Sequence, residues 1–129
     1  MHFRSASCLS SIWENLRYAN HQATIEQIID AATLTGAHEF ITNLPESYGT
    51  FVGESGLRLS RSEKQRINLT RAILRDPKIL ILDEATSSID TDSVARIIPE
   101  MFDAMKQRAI LLVTHRPDLL KHADVIVQA

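Results

Sequence analysis

Four consecutive aliphatic residues, Ile79-Leu80-Ile81-Leu82, run without alternation straight into two carboxylates, Asp83-Glu84. A strand that is apolar on every side has no face to give to water. The run therefore predicts a parallel strand covered on both faces, which points to an α/β architecture. Adjacent acids at the end of a strand of this kind are built to hold a charged cofactor.

The next residues along the chain support the same architecture. Val94, Ile97, Ile98, Met101, Phe102 and Met105 recur at helical spacing and predict an amphipathic helix packed on the sheet, interrupted by Pro99. A proline inside a helix costs about 3 kcal/mol and usually kinks it. Residues 109–114 read as the next strand, 117–122 as a short helix and 125–127 as a last strand. Strand, helix, strand, helix, strand from residue 79 onward argues for parallel strands with flanking helices.

The part before residue 79 reads as mostly helical. Ser11-Ile12-Trp13-Glu14, Thr24-Ile25-Glu26-Gln27 and Ser60-Arg61-Ser62-Glu63 each match the capping box, which predicts helix starts near 12, 25 and 61. The second helix would turn Ile25, Ile28, Ile29 and Ala32 to one face and stop at Gly36. A third helix over 38–43 ends before Pro45. Gly49, Gly53 and Gly56 mark a loop, with Tyr48 and Glu54 as loop residues, and Asp76-Pro77 breaks the long helix that begins at Ser60. Internal repeats and low-complexity tracts are absent from the sequence.

With 129 residues the chain fits one ordinary domain. Its net charge of -2, from 14 basic and 16 acidic residues, gives no surplus for displacing counterions and argues against a nucleic-acid partner. Cys8 is the single cysteine, so no internal disulfide is available and a reducing compartment is expected. No apolar run approaches the roughly 20 residues that span a bilayer. Residues 1–10 read as an atypical leader without the apolar core of a signal peptide.

No stretch fits Gly-x-x-x-x-Gly-Lys-Ser/Thr, the loop whose amides cradle phosphates, because none of the four glycines precedes a lysine. The motifs that are present occur in a telling order. Leu59-Ser60-Arg61-Ser62-Glu63-Lys64-Gln65-Arg66 resembles the Leu-Ser-Gly-Gly-Gln/Glu signature of ATP-binding cassette (ABC) transporter nucleotide-binding domains. Asp83-Glu84 resembles the Walker B end of that family, Ser87-Ser88-Ile89-Asp90 its D-loop and His115 its switch histidine. Thr50 to Gly56 is similar to the loop that type I exporters set against their transmembrane helices.

The resemblance, which spans roughly residues 11–129, implies a partial P-loop NTPase-like core at 79–129 preceded by a helical subdomain at 11–78. It implies ATP and Mg2+ as cofactors, with Asp83 as the magnesium residue and Glu84 as general base towards the attacking water. His115 would contact the γ-phosphate. Ser60, Ser62 and Glu63 would serve the nucleotide of an opposite domain, and Asp90 would make contacts across the dimer. Each residue also has a plain reading: Asp83 and Glu84 as solvated acids, His115 as a polar strand end, Asp90 as a helix cap. Arg61 and Ser62 stand where the family has glycines, adding side-chain atoms where phosphate would pack.

The expectation is thus the C-terminal part of an exporter ATPase domain, lacking the phosphate loop and inactive by itself. The implied partners are a transmembrane domain and a second nucleotide-binding domain, and the implied location is the cytoplasmic side of a membrane. Two other readings stand beside it. One is a degenerate cassette that docks on a complete one without catalysis. The other is a cassette protein of the DNA-repair type, which the charge balance and the loop at 50–56 disfavour.

Overall fold

The computed structural model describes residues 10–53 and 56–127. In chain order its elements are β1 (Ser10–Ser11), α1 (Ile12–Arg17), α2 (Ile25–Leu34), α3 (Ala37–Thr42), β2 (Phe51–Val52), α4 (Arg61–Leu74), β3 (Ile79–Asp83), α5 (Thr91–Ala104) and β4 (Ala109–Val113). Short 3-10 helices cover Ser47–Gly49 and Pro117–His122. The expected leader, apart from Ser10, lies outside the described residues, as do Cys8, Glu54 and Ser55.

All three capping boxes form. The Ser11, Thr24 and Ser60 hydroxyls accept the Glu14, Gln27 and Glu63 amides at 3.2, 3.1 and 3.1 Å. In return the Glu14, Gln27 and Glu63 side chains accept the Ser11, Thr24 and Ser60 amides at 3.0, 2.9 and 2.9 Å. A cap of this kind stabilises a helix by about 1 kcal/mol, and it fixes the first residue of α1, α2 and α4. Gly36 ends α2 in the left-handed region at φ 78°, a conformation that a side chain would strain.

Two apolar clusters arise from these elements. The first gathers Ile12, Leu16, Ile28, Ala32, Ile41 and Ile67 from α1 to α4. Trp13 stacks on Tyr48 with ring centroids 4.4 Å apart, and the Tyr48 hydroxyl meets His38 Nδ1 at 2.7 Å. Tyr48 is therefore a core residue and not the loop residue expected, and burial pushes its phenol up to about 12. Ile25 is exposed together with Thr24, Glu26 and Gln27, so the first turn of α2 projects past the core it was expected to face.

The second cluster packs Leu80 and Leu82 of β3 on Val94, Ile97, Ile98 and Met101 of α5. Helix α4 is the wall between the clusters: Ile67 and Leu74 belong to the first, Leu69 to the second, and Ile73 packs against both. Pro99 leaves α5 continuous, because it and Ala95, whose carbonyl loses its amide partner, both lie on the solvent face.

Strands β3 and β4 pair in parallel, from Ile79 beside Ala109 to Asp83 beside Val113. Only one face of this pair is covered. Leu80 and Leu82 are 4% and 3% exposed, while Ile79 and Ile81 are 65% and 63% exposed. The expectation of cover on both faces is thus corrected, since helix α5 occupies one side of the pair alone. Residues 125–127 do not form the expected strand either, and Val125, Ile126 and Val127 are exposed, with no ladder partner among the described residues. A short antiparallel pairing absent from the expectations joins β1 to β2.

One-sided cover has a measurable consequence. Leu82→Ala is expected to cost about 2 to 5 kcal/mol in urea unfolding, whereas Ile81→Thr, one residue away on the open face, changes stability by less than about 0.5 kcal/mol. Equal losses in the two variants would show that the outer face is packed.

Candidate functional site

The parallel register sets the strand ends level and so brings together groups that lie about thirty residues apart. Beyond the last pair of the ladder, the Glu84 amide donates to the Val113 carbonyl at 2.8 Å. Glu84 then takes φ 52°, a left-handed conformation that costs about 1 to 2 kcal/mol for a residue with a Cβ. This turn takes the chain off the strand, and Glu84 Oε1 hydrogen-bonds His115 Nδ1 just past β4. The Glu84 side chain is 34% exposed and that of His115 93%, so the pair stands at an open mouth. Asp83 ends β3 on its exposed face.

The loop from Glu84 to Asp90 has no regular structure and is held by its neighbours. Within it, Thr86 and Ile89 are buried. From α4, Gln65 Nε2 donates to Ser87 Oγ at 2.9 Å, and Gln65 Oε1 accepts the Ser88 amide at 2.8 Å. From beyond β4, the Arg116 guanidinium donates to the carbonyls of Thr86 and Ile89. At the far end the Asp90 carboxylate caps α5 by accepting the Ser93 amide at 3.0 Å and pairs with Arg66 at 3.6 Å.

Ser60, Ser62 and Glu63 form a second group at the start of α4. They share a cleft of about 440 Å³ with Gly36, Arg66 and Arg96. A helix N-terminus presents free amides and a positive dipole end to an anion. Here the Ser60 hydroxyl and the Glu63 carboxylate already satisfy one another's amides. Among the described residues no hydrogen bond joins this group to Asp83, Glu84 or His115; Arg66, which lines the cleft, pairs with Asp90 at the far end of the loop.

Sequence reasoning does not single out Gln65, Arg66 or Arg116. Arg66 carries a signal, since it lies one turn after Ser62 on the same helical face. For Gln65 and Arg116 no spacing rule applies, because their partners are main-chain groups of an irregular loop.

Cofactor fit rests on the donor set. Among the described residues no cluster of three or more His, Cys, Asp or Glu side chains could enclose a metal ion. An exposed carboxylate at a strand end suits an ion completed by phosphate oxygens and water, as magnesium usually is. Among the described residues no helix is long and apolar enough to cross a membrane.

The family model described as ABC transporter matches residues 5–87. ABC transporter B family member 4 of Dictyostelium discoideum is 48% identical over 117 residues, covering 91% of this chain and 15% of that protein. Multidrug resistance protein homolog 65 of Drosophila melanogaster is 47% identical over 119 residues, 92% of this chain and 9% of its own length. A putative multidrug export ATP-binding/permease protein of Staphylococcus aureus is 46% identical over 118 residues, 91% and 20% of the two chains. The chain thus spans a fifth or less of the length of these relatives.

The electrostatics of Asp90 give a pH signature. Hydrogen bonds from the Ser93 side chain and backbone hold its carboxyl below the ordinary value of 3.8, with Arg66 adding to the effect. A depressed value in the folded state contributes stability above pH 3.8, which is lost as pH falls through the folded value. Asp90→Asn keeps a good cap but does not titrate. It is expected to flatten the loss of stability below pH 3.8, followed by urea midpoints against pH, and an unchanged acid limb would remove this assignment.

Proposed function

The chain belongs to the ABC transporter family, and from that premise we propose that it is part of the ATP-binding domain of an exporter, coupling ATP hydrolysis to passage of a substrate across a membrane. The observation that carries this reading is the Glu84 and His115 pair at the level ends of two parallel strands. Residues 11–78 are read as its helical subdomain and 79–129 as the later part of its α/β core. Its partners are a transmembrane domain and a second cassette, and its place is the cytoplasmic side of the membrane.

The roles rest on charge and position. Asp83 would hold magnesium, which when bound neutralises phosphate charge. Glu84 acts as general base, drawing a proton from the attacking water. His115, hydrogen-bonded through Nδ1 to Glu84, has its other ring nitrogen left for a γ-phosphate oxygen. Ser60 and Ser62 offer hydroxyls, and α4 its dipole, to a nucleotide held by the opposite cassette, with Arg61 supplying a favourable charge. Asp90 lies in the segment that meets that cassette.

A second reading, a cassette that docks without catalysis, is favoured by one observation. Glu63 closes the capping box on Ser60 and so sets a carboxylate where a phosphate would approach the helix. Arg61 and Ser62, in place of glycines, add to this crowding.

The two readings separate in a complementation assay. The chain is joined to a polypeptide that supplies a phosphate-loop strand and helix, and Mg2+-dependent ATP hydrolysis is measured. Hydrolysis is expected only with that polypeptide, and Glu84→Gln is expected to lower kcat by about 100-fold or more while ATP still binds. Full activity in the Glu84→Gln variant would remove the base, and ATP binding without turnover in the parent would favour docking.

A further inference from the structure

Gln65 commits its whole side-chain amide to the loop that begins at Glu84. Its Nε2 donates to Ser87 Oγ at 2.9 Å and to the Glu84 carbonyl at 3.4 Å, and its Oε1 accepts the Ser88 amide at 2.8 Å. Gln65 lies in α4 five positions after Ser60, about 7 Å along the helix axis. The next residue, Arg66, donates to the Gly36 carbonyl at 3.3 Å and pairs with Asp90 at 3.6 Å, so α4 holds the loop near its start and at its end. Arg116 completes the grip from the opposite side through the Thr86 and Ile89 carbonyls.

We propose that Gln65 is a positioning residue for Glu84, the joint through which a displacement of the N-terminal end of α4 reaches that carboxylate. The importance of Glu84 rests on the ATPase reading, whereas the mechanical link stands on the geometry. A helix moves as a rigid element, and both hydrogen-bonding ends of the Gln65 amide are engaged. Beyond the Glu84 amide, the loop's own main chain is braced by turn bonds, from the Ser87 amide to the Glu84 carbonyl at 3.3 Å and from the Ile89 amide to the Thr86 carbonyl at 3.0 Å. Its left-handed residue, Glu84, is also the one whose carbonyl Gln65 reaches. The N-terminal end of α4 and the Glu84 and His115 pair, which share no hydrogen bond among the described residues, are in this way coupled within one chain.

The test is hydrogen exchange and side-chain NMR on the full chain without nucleotide, so that its failure is distinct from failure of the ATPase reading. The Glu84 amide, bonded to the Val113 carbonyl, does not touch Gln65 and reports transmission. Gln65→Leu keeps the bulk and loses every polar contact. It is expected to speed exchange at both Ser88 and Glu84 by about fivefold or more and to shift the Glu84 carboxyl carbon, while the Ala37 amide in α3 is unaffected. Gln65→Glu retains an acceptor for the Ser88 amide but has no donor for the Glu84 carbonyl, so it is expected to restore protection at Ser88 and not at Glu84. Ser87→Ala removes one contact from outside the helix and covers the case in which Gln65→Leu fails to fold; about a twofold rise at Glu84 is expected. Faster exchange at Ser88 with Glu84 unchanged in both its amide and carboxyl signals would overturn the proposal, as would an unmoved Glu84 in Ser87→Ala.

Discussion

The parallel register of β3 on β4 decides where the side chains of the candidate site stand. A shift of one residue would send Leu80 and Leu82 out of the core and Ile79 and Ile81 into it. The same register puts Asp83 beside Val113, so that Glu84, one residue on, and His115, two residues on, leave their strands close together. Burial of two leucines thus fixes the meeting of a carboxylate and an imidazole that no local contact would bring together.

The loop beyond β3 is held in another way. From Glu84 to Asp90 the main chain makes turn bonds but no ladder of its own, and the side chains of Gln65 and Arg116 take up the Ser88 amide and the Thr86 and Ile89 carbonyls. Such a segment can adopt a left-handed residue at its start because these partners, together with the buried Thr86 and Ile89, oppose relaxation. The price of this arrangement is that its geometry depends on a helix elsewhere in the fold. From that helix Gln65 reaches the loop near its start and Arg66 pairs with Asp90 at its end.

Much of the architecture could be read from residue pattern. The capping boxes located three helix starts because each is a reciprocal bond between residues three apart, and the heptad-like spacing from Val94 to Met105 marked α5 because its inner face is continuous. Ile79 to Leu82 identified a strand correctly but not its surroundings: apolarity records what a strand can pack against, and in this chain α5 packs on one side alone. Residues 125–127 have strand-like composition, yet a parallel strand exists only through a neighbour. The positions proposed for chemistry, Asp83, Glu84, His115 and Asp90, were legible through motif order. Gln65 and Arg116 were not, since their partners are backbone groups of a loop whose path no propensity describes.

Helix α4 has a role beyond the groups at its two ends. It gives Ile67 and Leu74 to one apolar cluster and Leu69 to the other, and Ile73 touches both. Two small cores that share a wall cannot loosen independently, because exposing either face of α4 withdraws support from the opposite one. The consequence is thermal cooperativity: warming should melt helices and sheet in one transition, and a domain of modest depth behaves as a single unit.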